Sequence, residues 1–261
     1  MEYLIICLVA IVVSALTFFS GFGLGTMLMP VFALFFPIPV AVASTAVVHL
    51  ANNIFKVGLI GRQANWSVVW RFAIPAVVTA MIGAALLTLF DTLPPLTTYQ
   101  LKGQPHQITV VKLVIGVIII VFALFDLLPQ LSHLTFDQKY LPLGGALSGF
   151  FGGLSGNQGA LRSAFLIKVG LNKEAFIATG VVAAVMVDIA RLLVYGVAFY
   201  ATHFMLLGSN ITGLVLAATL AAFAGAVMGK QLLKKVTLRI VQIIVGLMLI
   251  VLGVGLATGL L

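Results

Sequence analysis

Between residues 141 and 169 the chain has no stretch polar enough to be an aqueous loop, yet that run contains Gly-Gly-Leu-Ser-Gly-Asn-Gln-Gly-Ala-Leu-Arg-Ser at 152–163. This placement puts Arg162 at membrane depth, where an arginine costs about 2.5–3.5 kcal/mol on insertion scales. A partner or a ligand has to offset that cost. The backbone is under the same constraint: in hydrocarbon every N–H and C=O must be satisfied internally, which a helix does within its own segment. With 62% apolar and 8% charged residues, against about 25% charged in a soluble domain, the expected class is an all-α multi-pass membrane protein. No segment is large or polar enough for a separate soluble domain.

A second copy of the glycine-broken stretch lies earlier. Adding 135 to residue numbers lays Gly21 on Gly156, Ala43 on Ala178, Ser44 on Thr179, Asn53 on Asp188, Lys56 on Arg191 and Gly61 on Gly196. The chain therefore reads as a first repeat at 1–128, a linker at 129–140 and a second repeat at 141–261 within one transmembrane domain. Hydrophobic runs and breakers give segments at 3–19, 24–36, 40–60, 68–90 and 108–128, then at 141–149, 158–169, 173–195, 204–229 and 238–261. Phe36-Pro37-Ile38-Pro39 is a tight link, and Gly170-Leu171-Asn172-Lys173 reads as a helix end followed by a polar cap. Residues 91–107 form the longest polar link.

Charge sets the topology. With four crossings per half, Arg62 would face the opposite side from Lys230, Lys234, Lys235 and Arg239, against the positive-inside rule. An odd count removes the conflict if the first two segments of each half form a hairpin that returns to its starting side, either re-entrant or fully spanning. Arg62, Arg71, Lys139, Lys168, Lys173, Lys230, Lys234, Lys235 and Arg239 then lie inside, and only Lys102 and Lys112 outside. The layout expected is two inverted repeats, each a glycine-broken hairpin followed by three transmembrane helices, with both termini external. Residues 1–20 are as hydrophobic as a signal peptide but lack its positive start and run into a further apolar segment, so they read as membrane segment.

Several function classes drop out. The net charge of +8 is scattered over helix ends, unlike a nucleic-acid-binding surface. Cys7, the single cysteine, allows neither an intrachain disulfide nor a cysteine-based metal cluster. His106, His133 and His203 lack metal-ligand spacing. No nucleophile elbow, P-loop, kinase or zincin motif occurs, so no cofactor, metal or enzyme activity is expected.

The residues left over point to anion binding. Gly21-Phe22-Gly23-Leu24-Gly25-Thr26 permits a turn and leaves the next helix with unpaired N–H groups at its positive end, or else merely lets helices pack closely. Around the second break Asn157, Gln158 and Ser163 add donors. Arg162 offers a guanidinium fork to sulfonate, carboxylate or phosphate oxygens, or else forms a structural pair with Asp188. His49, Asn52, Asn53 and Lys56 share a helical face, with Asp188 and Arg191 at the equivalents of Asn53 and Lys56 and able to pair. Lys56 is near enough to its helix end to snorkel to water. His49 could titrate near neutral pH, and Asp188 could carry a coupled proton or stay ionised beside Arg191 or Arg162.

Gly21-x-Gly23-x-Gly25 with Pro30, Pro39 and Ala43-Ser44-Thr45, and the glycine-led copy from Gly152 onward, resemble the TauE/SafE family of sulfite and organosulfur-anion exporters over essentially the whole chain. Leu24 stands where that pattern has a glycine, and Asn157 and Gln158 where it has an apolar residue and a glycine. The resemblance implies a bacterial or archaeal cytoplasmic-membrane transporter of two related halves for sulfite, sulfoacetate, sulfonates or similar anions. The reading from the residues is a secondary transporter working by alternating access. The expected substrate site is Gly23, Gly25, Thr26, Asn52, Asn53, Asn157, Gln158, Arg162 and Ser163, with His49, Asp188 and Arg191 as coupling or ion-pair residues. Its partners are a small anion and the lipid bilayer; the oligomeric state is left open. A passive anion channel and a membrane enzyme are the alternatives.

Overall fold

The computed structural model describes residues 1–17, 24–128, 130, 135–200, 204–232 and 238–261. Gly21, Gly23, His133, His203, Lys234 and Lys235, used in the sequence reading, lie outside them. The helices are α1 (Glu2–Thr17), α2 (Leu24–Ala33), α3 (Ile38–Ile60), α4 (Trp66–Asp91), α5 (Val110–Leu127), α6 (Leu141–Ser155), α7 (Gly159–Leu166), α8 (Lys173–Tyr200), α9 (Phe204–Leu232) and α10 (Leu238–Ala257). Helices α2 and α7 begin 135 residues apart, and so do α3 and α8.

Local chemistry fixes these starts. Pro37 precedes α3 and Pro39 sits in its first turn, where a missing N–H costs nothing. Asn65 caps α4, its side chain accepting from Val68 N at 3.2 Å. Thr109 does the same for α5 toward Lys112 N at 3.2 Å. Asn172 caps α8, accepting from Ala175 N at 2.8 Å, just after Gly170 ends the preceding turn with φ +78°.

Two stretches differ from the sequence reading. The 91–107 link folds as a hairpin, β1 (Thr97–Leu101) pairing antiparallel with β2 (Gln104–Ile108). Tyr99 donates to Thr258 O at 2.6 Å and stacks on His106, so the hairpin holds the chain's C-terminal turn. Helix α6 does not stop at Gly149 but runs on through Gly152 and Gly153 to Ser155. A Cβ on Gly145, Gly149 or Gly153 would run into the carbonyl oxygens of Phe72, Ala76 and Ala80 on α4. Here glycine spaced by four brings two backbones together rather than breaking a helix.

Helix α6 packs most extensively on α4, and α1 on α9; α5 lies against α10, and α3 against α8. Gly225 and Gly229 of α9 press on the backbone of Ile11 and Ala15 in α1. Among the described residues, four helices are long and apolar enough to cross a membrane: Ile38–Gln63, Trp66–Asp91, Lys173–Gly196 and Ile211–Gly229. In contrast, α2 with 10 residues and α7 with 8 rise only about 15 and 12 Å, half or less of a ~30 Å hydrocarbon core.

The outside is apolar, and the apolar interior holds a set of polar groups. Trp66, Trp70, Ile74, Val78, Ile82 and Leu89 form an exposed stripe down α4, as a lipid-facing helix requires. Buried in their place are Ser14, Ser44, Thr45, His49, Asn52, Asn53, Lys56, Asp188 and Arg191.

Candidate functional site

Helix α3 carries Thr45, His49, Asn52, Asn53 and Lys56 on one face, and all five are buried. Lys56 is 4% exposed. Its ammonium is therefore held inside the protein and does not snorkel to water.

Asp188 of α8 is the hub. Its carboxylate Oδ2 lies 2.6 Å from His49 Nδ1 and accepts from Asn53 Nδ2 at 3.3 Å. Its Oδ1 accepts from Gln158 Nε2 at 3.0 Å and from Arg191 Nε at 3.1 Å, with Arg191 Nη2 at 2.8 Å. Asn53 Nδ2 also lies 3.0 Å from His49 Nδ1, and the other ring nitrogen, Nε2, points away from the carboxylate. That nitrogen is 3.4 Å from Asn53 Nδ2 and faces the start of α2, close to where a Gly25 side chain would stand. His49 and Asp188 thus join α3 to α8 across the two halves.

The α6–α7 break is tied into the same hub. Gly156 ends α6 at φ +83°, a left-handed conformation that glycine adopts without a Cβ penalty. Arg191 Nη1 donates to Gly152 O at 2.9 Å, and Tyr195 Oη donates to Gly153 O. Tyr195 thereby serves one of the carbonyls in the last turn of α6, while Gly152 O also accepts from Gly156 N at 3.0 Å. Ser148 Oγ donates to Gln158 O at 2.7 Å, closing the turn.

The start of α2 meets the α6–α7 break. A Cβ at Gly25 would stand 3.0 Å from Gly156 O, so the start of α2 abuts the tip between α6 and α7. One turn into α2, Pro30 supplies no N–H to the carbonyl of Thr26, which is buried beside Gly25.

Of the site residues expected from sequence, Gly25, Thr26, Asn52, Asn53, His49, Asn157, Gln158, Arg162, Asp188 and Arg191 are all buried. Ser163 is half-buried. Gln158 spends its amide on Asp188, and Asn157 Nδ2 donates to Ser155 Oγ at 3.1 Å. Asn52 Oδ1 accepts from Ser14 Oγ at 3.4 Å. Asn52 Nδ2, Asn157 Oδ1, Ser44 Oγ and Thr45 Oγ1 are buried with no hydrogen-bond partner. Thr179 turns to Asn65 N at 2.9 Å, the start of α4, instead of a hairpin tip. Gly23 lies outside the described residues. Sequence reasoning missed Tyr195 and Ser148; an aromatic hydroxyl one turn beyond Arg191 is the signal that could have found the first.

Arg162 rises from α7 against Gly180, whose Cβ position is 3.4 Å from its Nε. It lies within electrostatic range of Asp188, His49 and Lys56. Apart from His49, the buried ionisable side chains described in this cluster are Lys56, Arg162, Arg191 and Asp188, three cations and one carboxylate. Arg191 is paired with Asp188.

A family model described as "Sulfite exporter TauE/SafE" matches residues 6–256, nearly the whole chain. No curated protein and no solved structure matches it.

Proposed function

Because the chain belongs to the sulfite exporter TauE/SafE family, which implies a membrane transporter of sulfur anions, we propose that it is a secondary transporter moving a small sulfur-containing or organic anion by alternating access. The observation that carries this reading is the cluster of buried polar and charged side chains on α3, α7 and α8 where the start of α2 meets the α6–α7 break. A buried donor left unmet, such as Asn52 Nδ2, is costly, and the oxygens of an anionic cargo can accept from it.

The halves are read as inverted repeats. Equal spacing of the α2/α7 and α3/α8 starts supports this, as does the reciprocal packing of α1 on α9 and α6 on α4. In this reading the short helices α2 and α7 are re-entrant, and both termini are external. The cation bias of the loops assigns the Gly61–Gln63 turn to the cytoplasm of a bacterial or archaeal cell. Arg162 holds the charge, and Gly25, Thr26, Asn52 and Asn53 line its path. His49 or Asp188 carries a proton if transport is proton-driven, since protonating the carboxylate would loosen the bond between α3 and α8.

The test is a thermal-shift screen of the purified protein against sulfite, thiosulfate, sulfoacetate, taurine, sulfate and small carboxylates, followed by uptake in proteoliposomes. A bound anion stabilises the folded state in proportion to occupancy. Saturable uptake with counterflow, lost in Arg162→Ala, is the expected result. Unchanged uptake in Arg162→Ala rejects the site, and conductance far above carrier turnover makes the protein a channel.

A further inference from the structure

One titratable contact joins the two halves. His49 Nδ1 on α3 lies 2.6 Å from Asp188 Oδ2 on α8, and both side chains are buried. The 135-residue offset puts Ala184 at the position equivalent to His49, and Asn53 at the one equivalent to Asp188. The equivalent pair, Asn53 with Ala184, has no proton to exchange, so the repeat supplies this pair once and builds it from both halves. At so short a separation a histidine and a carboxylate titrate as one unit.

The pair is flanked by cations whose charge is less easily changed. Arg191 of α8 is bonded to Asp188, and Arg162 of α7 lies within electrostatic range of His49; guanidinium groups keep their proton in proteins. Lys56 follows His49 by two turns on α3, and Tyr195 of α8 donates to Gly153 O; both side-chain types exchange protons at higher pH in water than histidine does. Among the described residues, α1, α2, α6 and α9 bring no buried ionisable group to the pair: α1 offers Ser14, and α2 offers Thr26. Near neutral pH the proton count is therefore set by His49 and Asp188 together.

The far side of the ring faces the path of the cargo. His49 Nε2 lies 3.9 Å from where a Gly25 side chain would stand, in the first turn of α2. One turn beyond His49 on α3, Asn52 is fully buried and its Nδ2 has no hydrogen-bond partner. An anion accepting from Asn52 sits next to the pair, and a neighbouring negative charge favours the protonated form of a titrating group. We propose that the His49–Asp188 pair is the coupling site of the transporter, taking up one proton with each anion so that the two bind and cross together. This rests on the reading of the cluster as the transport site. The added proton raises the charge of the pair by one whether it settles on the imidazole or on the carboxylate, and by reciprocity it tightens the anion as much as the anion tightens it.

The test measures binding of methanesulfonate and of thiosulfate to the full-length protein from about pH 5.5 to 8.5, by calorimetry in two buffers of different ionisation heat, with proteoliposome uptake of each. Neither anion takes up a proton itself in that range, so any proton bound belongs to the protein. Wild type should take up about one proton per anion, its affinity should fall by up to about tenfold per pH unit on the alkaline side, and uptake should acidify the vesicle lumen. His49→Gln, which keeps a polar side chain but cannot titrate, should bind with almost no proton uptake and an affinity that is flat with pH. If His49→Gln does not purify as a monodisperse protein, His49→Asn takes its place, and wild-type proton uptake stands as an independent test. Wild-type proton uptake near zero, or a pH slope unchanged in the His49 variant, overturns this inference while saturable anion transport leaves the transporter reading standing. Absence of binding and transport for both anions at every pH overturns both.

Discussion

Asp188 illustrates how a single side chain can hold a membrane site together. It accepts from His49, Asn53, Gln158 and Arg191, which come from two helices, α3 and α8, and the α6–α7 turn. Asp188→Asn removes the countercharge of a fully buried Arg191 and should cost about 3–5 kcal/mol, read as a lower unfolding temperature in detergent. Adding Arg191→Gln should recover part of that loss, though not the bond to Gly152 O. Gly156→Ala should cost about 1–2 kcal/mol for placing a Cβ in the left-handed region and, at 3.3 Å from Arg191 Nη1, should also disturb that guanidinium. Thermal unfolding checks the first effect and anion binding the second. Most of these residues were legible as a polar set in the sequence, because ionisable groups in apolar segments are rare enough to stand out. What the sequence withheld was who pairs with whom. Gln158 and Asn157 looked like donors aimed at a ligand, but one serves Asp188 and the other Ser155.

At the scale of elements, glycine means different things at neighbouring positions. Gly156 breaks a helix, while Gly145, Gly149 and Gly153 lie on one stripe of an unbroken one. Their role depends on α4, far away in sequence, whose carbonyls of Phe72, Ala76 and Ala80 lie against them. A local rule for glycine as a breaker ends α6 too early for that reason. Helix starts were easier to read, since the prolines at 37 and 39 and the cap Asn172 act within a turn of the residues they control. The 97–108 hairpin was missed because its stabilisation comes from the other end of the chain, through Tyr99 and Thr258. Gly149→Ala should push α4 and α6 apart and cost about 1–3 kcal/mol as overpacking. Gly103→Ala, with open space around it, should cost no more than its turn conformation demands. Unfolding temperatures of the two variants side by side test the contrast.

For the molecule as a whole, the exposed Trp66 and Trp70 and the nearby Arg62 and Arg71 place one end of α4 at an interface, with aromatic rings at headgroup level. Reporter fusions at residues 62 and 102 should therefore report opposite sides of the membrane, with residue 62 in the cytoplasm. A fusion at residue 234 should report the same side as residue 62, and opposite sides for those two would undo the inverted arrangement. The reciprocal packing has a further consequence, for biogenesis. Helix α1 finds its principal partner in α9, which begins at Phe204, so at roughly 5–20 residues per second the first helix waits many seconds in lipid before its binding surface exists. Until then the bare backbone beside Ile11 and Ala15 must be sheltered by lipid or an insertion factor, whereas the Ser14 hydroxyl meets Asn52 as soon as α3 is made. Neither half made alone has the surface to release that helper.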